Sequence, residues 1–127
     1  MTDAETRHVL IIDDDAAARR MLRRVLERRG FRVEEQGDGR SGLDAIVATR
    51  PDVVLLDLRM PGELSGFDVA SLVKAEADLD GIAVVVVSAS VHLDARSAAK
   101  TIGCDAFVEK PVDFDELLAA IDEVAPR

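Results

Sequence analysis

Five residues carry the groups from which chemistry would have to be built. Asp13 and Asp14 follow the apolar run "VLII", Asp57 follows "VVLL", Ser88 follows "AVVVV", and Lys110 follows "FVE"; Asp15 completes an acidic triple with the first two. Two carboxylates about 4 Å apart repel by roughly 4 kcal/mol at an effective dielectric near 20. The triple therefore needs solvent or a counter-ion. Carboxylates with no thiol or imidazole among them suit a hard cation such as Mg2+, with Mn2+ as a substitute, because such ions take oxygen ligands. A lysine and a hydroxyl aimed at the same place would contact the oxygens of a phosphoryl group, whose transfer asks mainly for in-line positioning and charge neutralisation. One carboxylate can then act as the nucleophile. Asp57, at the end of a central strand, is the best placed.

Those residues meet only if the elements before them bring them together. Short β-type runs alternate five times with helical patterns. "HVLII" (8–12), "FRVEE" (31–35), "DVVLLD" (52–57), "IAVVVVS" (82–88) and "DAFVE" (105–109) read as strands. Between them, apolar residues recur at helical spacing. Ala18, Met21, Leu22, Val25 and Leu26 mark a first helix that stops at Gly30; Leu43, Ile46 and Val47 mark a second; Val69, Leu72 and Val73 mark a third after Gly66. Leu93 to Ile102 is a helix with an alanine-rich inner face of Ala95, Ala98 and Ala99. Phe114, Leu117, Leu118 and Ile121 mark the last, opened by Asp113 and Glu116 as a capping pair. Asp15 immediately precedes the first helix and is expected to cap it.

Unbroken apolar strands separated by helices imply a parallel sheet covered on both faces. With right-handed crossovers this is an α/β, doubly wound, flavodoxin-like sheet of five strands in the order 2-1-3-4-5, which binds ligands at the carboxyl ends of its strands near the switch point. Asp13, Asp14, Asp57, Ser88 and Lys110 all fall on that rim.

Composition narrows the function further. The chain has 127 residues, 48% of them hydrophobic, and is expected to form one domain over 1–127 with a core of about 9–124. Its longest apolar run, "IAVVVV", is far below the roughly 20 residues of a membrane helix. "MTDAETRH" has no signal core, so a cytoplasmic protein is expected. Cys104 is the one cysteine and is read as packing. The net charge of −9 lies wholly in the second half, since residues 1–50 carry ten arginines against ten acids. Such a balance argues against direct nucleic-acid binding. Six arginines of the first helix, Arg19, Arg20, Arg23, Arg24, Arg28 and Arg29, are either a solvated face or a surface that steers an acidic partner. His8 and His92 have no partners in the pattern and are expected at the surface.

The motifs "IIDDD", "LLDLRMPG", "VVVSA" and "VEKPV", in this order at these strand ends, resemble the receiver domain of two-component response regulators, from about Val9 to Val124. The resemblance implies that Asp57 accepts a phosphoryl group from a sensor histidine kinase or a histidine phosphotransfer protein. It implies Mg2+ held by Asp14 directly, by Asp13 largely through water, by Asp57, and by the backbone carbonyl of Arg59. Ser88 matches the switch hydroxyl and Lys110 the phosphate-binding lysine, with a cis bond to Pro111. Phe107 falls where a large side chain turns inward on activation, changing the surface of helix 4, strand 5 and helix 5. An unidentified downstream protein or an output domain would read that change. A monomer, or a dimer formed on phosphorylation, follows from the same resemblance, with no membrane contact.

Two features depart from the family pattern. "RMPGELSG" is one residue longer than the usual path to the glycine that opens the third helix, and Arg59 places a long cation two residues past Asp57, where it could gate water or pair with Glu63. Three other functions compete. A Mg2+-dependent phosphohydrolase with an aspartate nucleophile usually has a second aspartate where Arg59 stands. A flavodoxin-like cofactor binder would have its phosphate repelled by Asp13 to Asp15. A degenerate receiver that only binds partners would have no use for Asp57, Ser88 and Lys110 together.

Overall fold

The computed structural model describes residues 6–89 and 93–125. Five strands, β1 (His8–Ile12), β2 (Arg32–Gln36), β3 (Val53–Leu56), β4 (Ala83–Ser88) and β5 (Ala106–Glu109), form one parallel sheet in the order β2-β1-β3-β4-β5. Five helices cover it: α1 (Ala16–Arg28), α2 (Gly39–Thr49), α3 (Gly66–Ala75), α4 (Leu93–Ile102) and α5 (Phe114–Val124), with a 3-10 turn at Ala77–Leu79. This is the expected doubly wound architecture, with element ends shifted by one or two residues.

Alternation along the strands divides the core into layers. Val9, Ile11, Val53, Leu55, Val85 and Val87 face α1 and α5, meeting Leu22, Leu26, Leu117 and Ile121. Leu10, Ile12, Val54, Leu56 and Val84 face α2 and α3, meeting Ile46, Val69, Ala70 and Val73. Each such side chain taken fully out of water contributes about 1.5–3 kcal/mol, so β1, β3 and β4, buried along their whole length, anchor the fold. The cluster under α4 is much smaller: Leu58, Val86 and Ala99, bordered by Phe67, Ala95, Cys104 and Phe107.

Several expected core positions lie outside it. Met21, Val47 and Leu72 are exposed, because the stripe each helix turns to the sheet is narrower than its apolar pattern. His8 is the reverse case. It opens a central strand and is buried, its N–H donating to Asp52 Oδ2 at 2.7 Å and its carbonyl accepting from Asp52 N at 2.9 Å. Its Nε2 lies 2.9 Å from Glu34 Oε1 without the alignment of a hydrogen bond, and neither ring nitrogen has a hydrogen-bond partner among the described residues. The surface expectation for His8 is thus corrected by the inclusion of residue 8 in the sheet; His92 lies outside the described residues.

The loop of residues 57–65 joins β3 to α3. Gly62 takes φ +107°, a left-handed conformation that side chains disfavour, while Met60 is buried. At the far end Ser65 and Asp68 form a reciprocal capping box for α3. Gly66 packs against the end of β3 so closely that a Cβ there would lie 2.1 Å from the Asp57 carbonyl oxygen and 2.5 Å from Leu58 Cα. Both are backbone atoms that cannot rotate away. Gly66→Ala is therefore expected to cost about 2–3 kcal/mol, toward the upper end of overpacking penalties, measured by urea denaturation; a loss below about 0.5 kcal/mol would show that the loop yields freely.

Candidate functional site

Register builds the site. Ile12 pairs with Leu56 and Leu56 with Val86, so Asp13 and Asp57 emerge side by side one residue later, flanked by Ser88. Ser88 pairs with Glu109 and its carbonyl accepts Lys110 N at 2.9 Å, which brings Lys110 to the same rim. The Lys110–Pro111 bond is cis.

Asp13, Asp57, Ser88 and Lys110 are joined by hydrogen bonds at this rim. Lys110 Nζ donates to Asp13 Oδ2 at 2.7 Å and to Asp57 Oδ2 at 2.9 Å. Asp57 Oδ1 accepts the backbone N–H of Arg59 at 2.9 Å and the Ser88 hydroxyl at 3.3 Å. Asp13 is 2% exposed, Asp57 8%, and Ser88 is fully buried, whereas Asp14 is exposed. Asp13 Oδ1 accepts the N–H of Asp15 at 2.9 Å. Asp15 stays out of the cluster and caps α1, accepting from Ala17 N and Ala18 N, as its position before the helix predicts.

The electrostatics follow from these contacts. Burial, the largest influence on Lys110, acts to lower its pKa; the hydrogen bonds and charges of Asp13 and Asp57 together outweigh it and raise the pKa above the usual lysine value. The ammonium is therefore charged across the neutral range.

One carboxylate oxygen from each of Asp13, Asp14 and Asp57 lies within 4.8 Å of the others. Three converging carboxylates with no sulfur or imidazole fit a hard divalent cation such as Mg2+. Two of the three are buried and held by a single ammonium, so the cluster carries more negative than positive charge.

Phe107 sits half-buried on β5, with the Arg96 guanidinium over its ring at 4.5 Å from the centroid. Arg59 has an exposed side chain, and no ion pair joins it to Glu63 among the described residues.

The arginines of α1 do not act as one surface. Arg19 and Arg23 turn inward to Glu35 of β2, at 3.2 Å and 2.6 Å. Arg20, Arg24 and Arg28 remain exposed, the first two beside Met21, which is 59% exposed. Met21 with Ala18, Leu22, Pro111, Val112 and Phe114 lines a groove of about 230 Å³ that reaches Lys110. Sequence reasoning did not find this groove, since its walls come from helices at opposite ends of the chain.

The geometry has counterparts in known proteins. The family model of the response regulator receiver domain matches residues 9–122. The response regulator MprA of Mycolicibacterium vanbaalenii is 39% identical over 119 residues, covering 94% of this chain and 50% of that protein; MprA of Mycobacterium avium is 37% identical over the same length, covering 94% and 51%. The chain spans about half the length of these curated relatives. Among solved structures, a CheY-like receiver domain protein from Methanospirillum hungatei superposes with a TM-score of 0.85 at 28% identity, covering 94% of this chain and 93% of that one. The chemotaxis protein CheY4 of Vibrio cholerae gives 0.86 at 25% identity, covering 94% and 98%. Matched along nearly its whole length, and with acids, a hydroxyl and a lysine gathered at one rim, the chain belongs to the response regulator receiver domain family of two-component signalling systems.

Proposed function

We propose that this domain receives a phosphoryl group on Asp57 from a phosphohistidine of a sensor kinase or a histidine phosphotransfer protein in the cytoplasm. The observation that carries the reading is the double contact of Lys110 with Asp13 and Asp57, which puts a fixed ammonium at the carboxylate that would react. One Asp57 carboxylate oxygen forms the new O–P bond; the N–P bond of the donor breaks, its electron pair leaving on the imidazole. Lys110 and the Ser88 hydroxyl balance the charge of the incoming oxygens. Asp13, Asp14, Asp57 and the Arg59 carbonyl would hold Mg2+, which supplies charge neutralisation for the transferring group.

The exposed Arg20 and Arg24, which flank Met21 at the edge of the apolar groove, support α1 and the loop after β5 as the place where the histidine-bearing partner docks. Arginines around an apolar seat would steer an acidic helix. Transfer from the kinase is expected to slow as ionic strength rises, and salt-insensitive transfer would remove the steering role.

On phosphorylation Ser88 moves toward the phosphoryl oxygens and Phe107 turns in, altering the α4–β5–α5 surface presented to a downstream protein or output domain, as monomer or dimer. One charge change then biases a two-state element. The thin layer under α4, to which Ala99 is the one fully buried apolar residue that the helix contributes among the described side chains, supports a helix that moves at low cost. Amide exchange in α4 is expected to be at least ~10-fold faster than in β4; equal protection would contradict the mobile element.

The reading is tested with acetyl phosphate. The intact protein is expected to gain one phosphoryl group in mass, only with Mg2+ or Mn2+ present. No gain under any divalent cation would remove the phospho-acceptor function.

A further inference from the structure

We propose that Arg19 is a positioning residue for the cation-binding carboxylates, acting through the main chain of Asp13. The proposal rests on the reading of Asp13, Asp14 and Asp57 as a divalent cation site.

Arg19 lies on the first turns of α1, yet its side chain is only 20% exposed. Its Nη1 donates to the carbonyl oxygen of Asp13 at 2.6 Å and its Nε to Glu35 Oε1 at 3.2 Å. Glu35 is itself fixed, because its other oxygen accepts from Arg23 Nη1 at 2.6 Å while Arg23 Nη2 donates to Val33 O at 3.0 Å. The guanidinium of Arg19 is thus aimed from β2, and its rigid planar fork leaves little freedom once both ends are bound. Gly37 keeps the space open. A Cβ there would lie 3.2 Å from Nη1 and 3.7 Å from Cζ, so a side chain would press on the guanidinium.

Asp13 is held by all three of its oxygens. Lys110 and the Asp15 N–H take the two carboxylate oxygens, the atoms that a bound cation and its waters would compete for. The carbonyl bond to Arg19 is the one that cation binding leaves untouched. It fixes the turn that carries Asp13 and Asp14 whether or not an ion is present. A bare cation this close would repel a metal ion, but Glu35 and Glu27 together balance the charges of Arg19 and Arg23, so positioning outweighs repulsion. Outer groups that orient ligands in this way typically carry 10–100-fold in metal affinity.

The test compares the full chain with Arg19→Lys, Arg19→Met and Gly37→Ala. Mg2+ affinity is read by calorimetry, Mn2+ affinity by paramagnetic resonance, and Asp15 amide exchange in the metal-free protein. Arg19→Met is expected to weaken Mg2+ binding about tenfold and to speed Asp15 exchange. Arg19→Lys, which keeps a donor, should recover part of both, and Gly37→Ala should show a smaller loss of the same kind. Unchanged or tighter Mg2+ binding in Arg19→Met, even with a lowered melting temperature, would make Arg19 merely structural and overturn the proposal. Failure of the unaltered chain to bind either ion would instead overturn the cation-site reading, and Asp15 exchange unchanged in the metal-free variants would overturn the positioning role on its own.

Discussion

Asp57→Ala is expected to take up no phosphoryl group from acetyl phosphate where the unaltered chain takes up one. The effect should be complete because nothing else at the rim can substitute. Asp13 shares the Lys110 ammonium but has neither the Ser88 hydroxyl nor the Arg59 N–H, both of which converge on Asp57 Oδ1, so it lacks the groups that would balance the incoming charge. Asp14 is exposed and lacks both the Lys110 contact and the Ser88 hydroxyl that Asp57 has. Ser88 is buried, and a hydroxyl with no adjacent base is a poor nucleophile. Intact mass reads the result, and borohydride trapping locates the aspartyl phosphate. Labelling that survives Asp57→Ala would sink the acceptor assignment. The fold itself should be intact in the variant, since removing one of three crowded acids relieves repulsion.

Lys110→Met is the second large effect, and it acts on stability. In the metal-free protein this change leaves Asp13 and Asp57, both nearly buried, without their shared cation. Breaking a fully buried ion pair costs about 3–5 kcal/mol. The Lys110 side chain is 21% exposed, so solvent screening brings the expected loss down to about 2–3 kcal/mol. Mg2+ should restore more stability to the variant than it adds to the unaltered chain, because the ion then takes over the charge balance that the ammonium gave Asp13 and Asp57. Urea denaturation with and without Mg2+ measures both quantities; an equal loss under the two conditions would show that Lys110 serves packing alone. The pH dependence has a definite sign. The Lys110 pKa is raised in the folded state, so its contribution is fully present below the unfolded lysine value of about 10.4 and disappears as pH rises through the folded value. The two proteins should converge in stability only in strongly alkaline solution. Phosphoryl uptake by Lys110→Met should fall as well, through loss of the contact to the incoming oxygens.

Legibility in the sequence followed the range of the interaction. Asp15 as the cap of α1 could be read directly, because a cap depends on the next three residues alone. The Ser65–Asp68 box is equally local, although only Gly66 is singled out from the sequence at that helix start. The buried strands could be read because runs such as "VVLL" and "AVVVV" satisfy both faces of a covered sheet. Met21, Val47 and Leu72 could not be placed, since an apolar pattern shows which residues share a face but not how wide a stripe the sheet covers. Nor could the arginines of α1 be divided. Arg19 and Arg23 look like Arg20 and Arg24 until Glu35 of β2 lies beside the helix. The same holds for Lys110, whose partners are 53 and 97 residues away.

By itself the sequence determined the five strands and five helices, their parallel winding, and the five side chains at the strand ends, because backbone periodicity and strand-end position are properties of short segments. Only the tertiary structure decided that one ammonium bridges Asp13 and Asp57, that His8 is buried, that Arg19 grips the Asp13 carbonyl, and that a groove opens between α1 and the loop after β5. Those facts depend on the register of distant strands and on ångström-scale distances between groups far apart in the chain, and no local pattern encodes them.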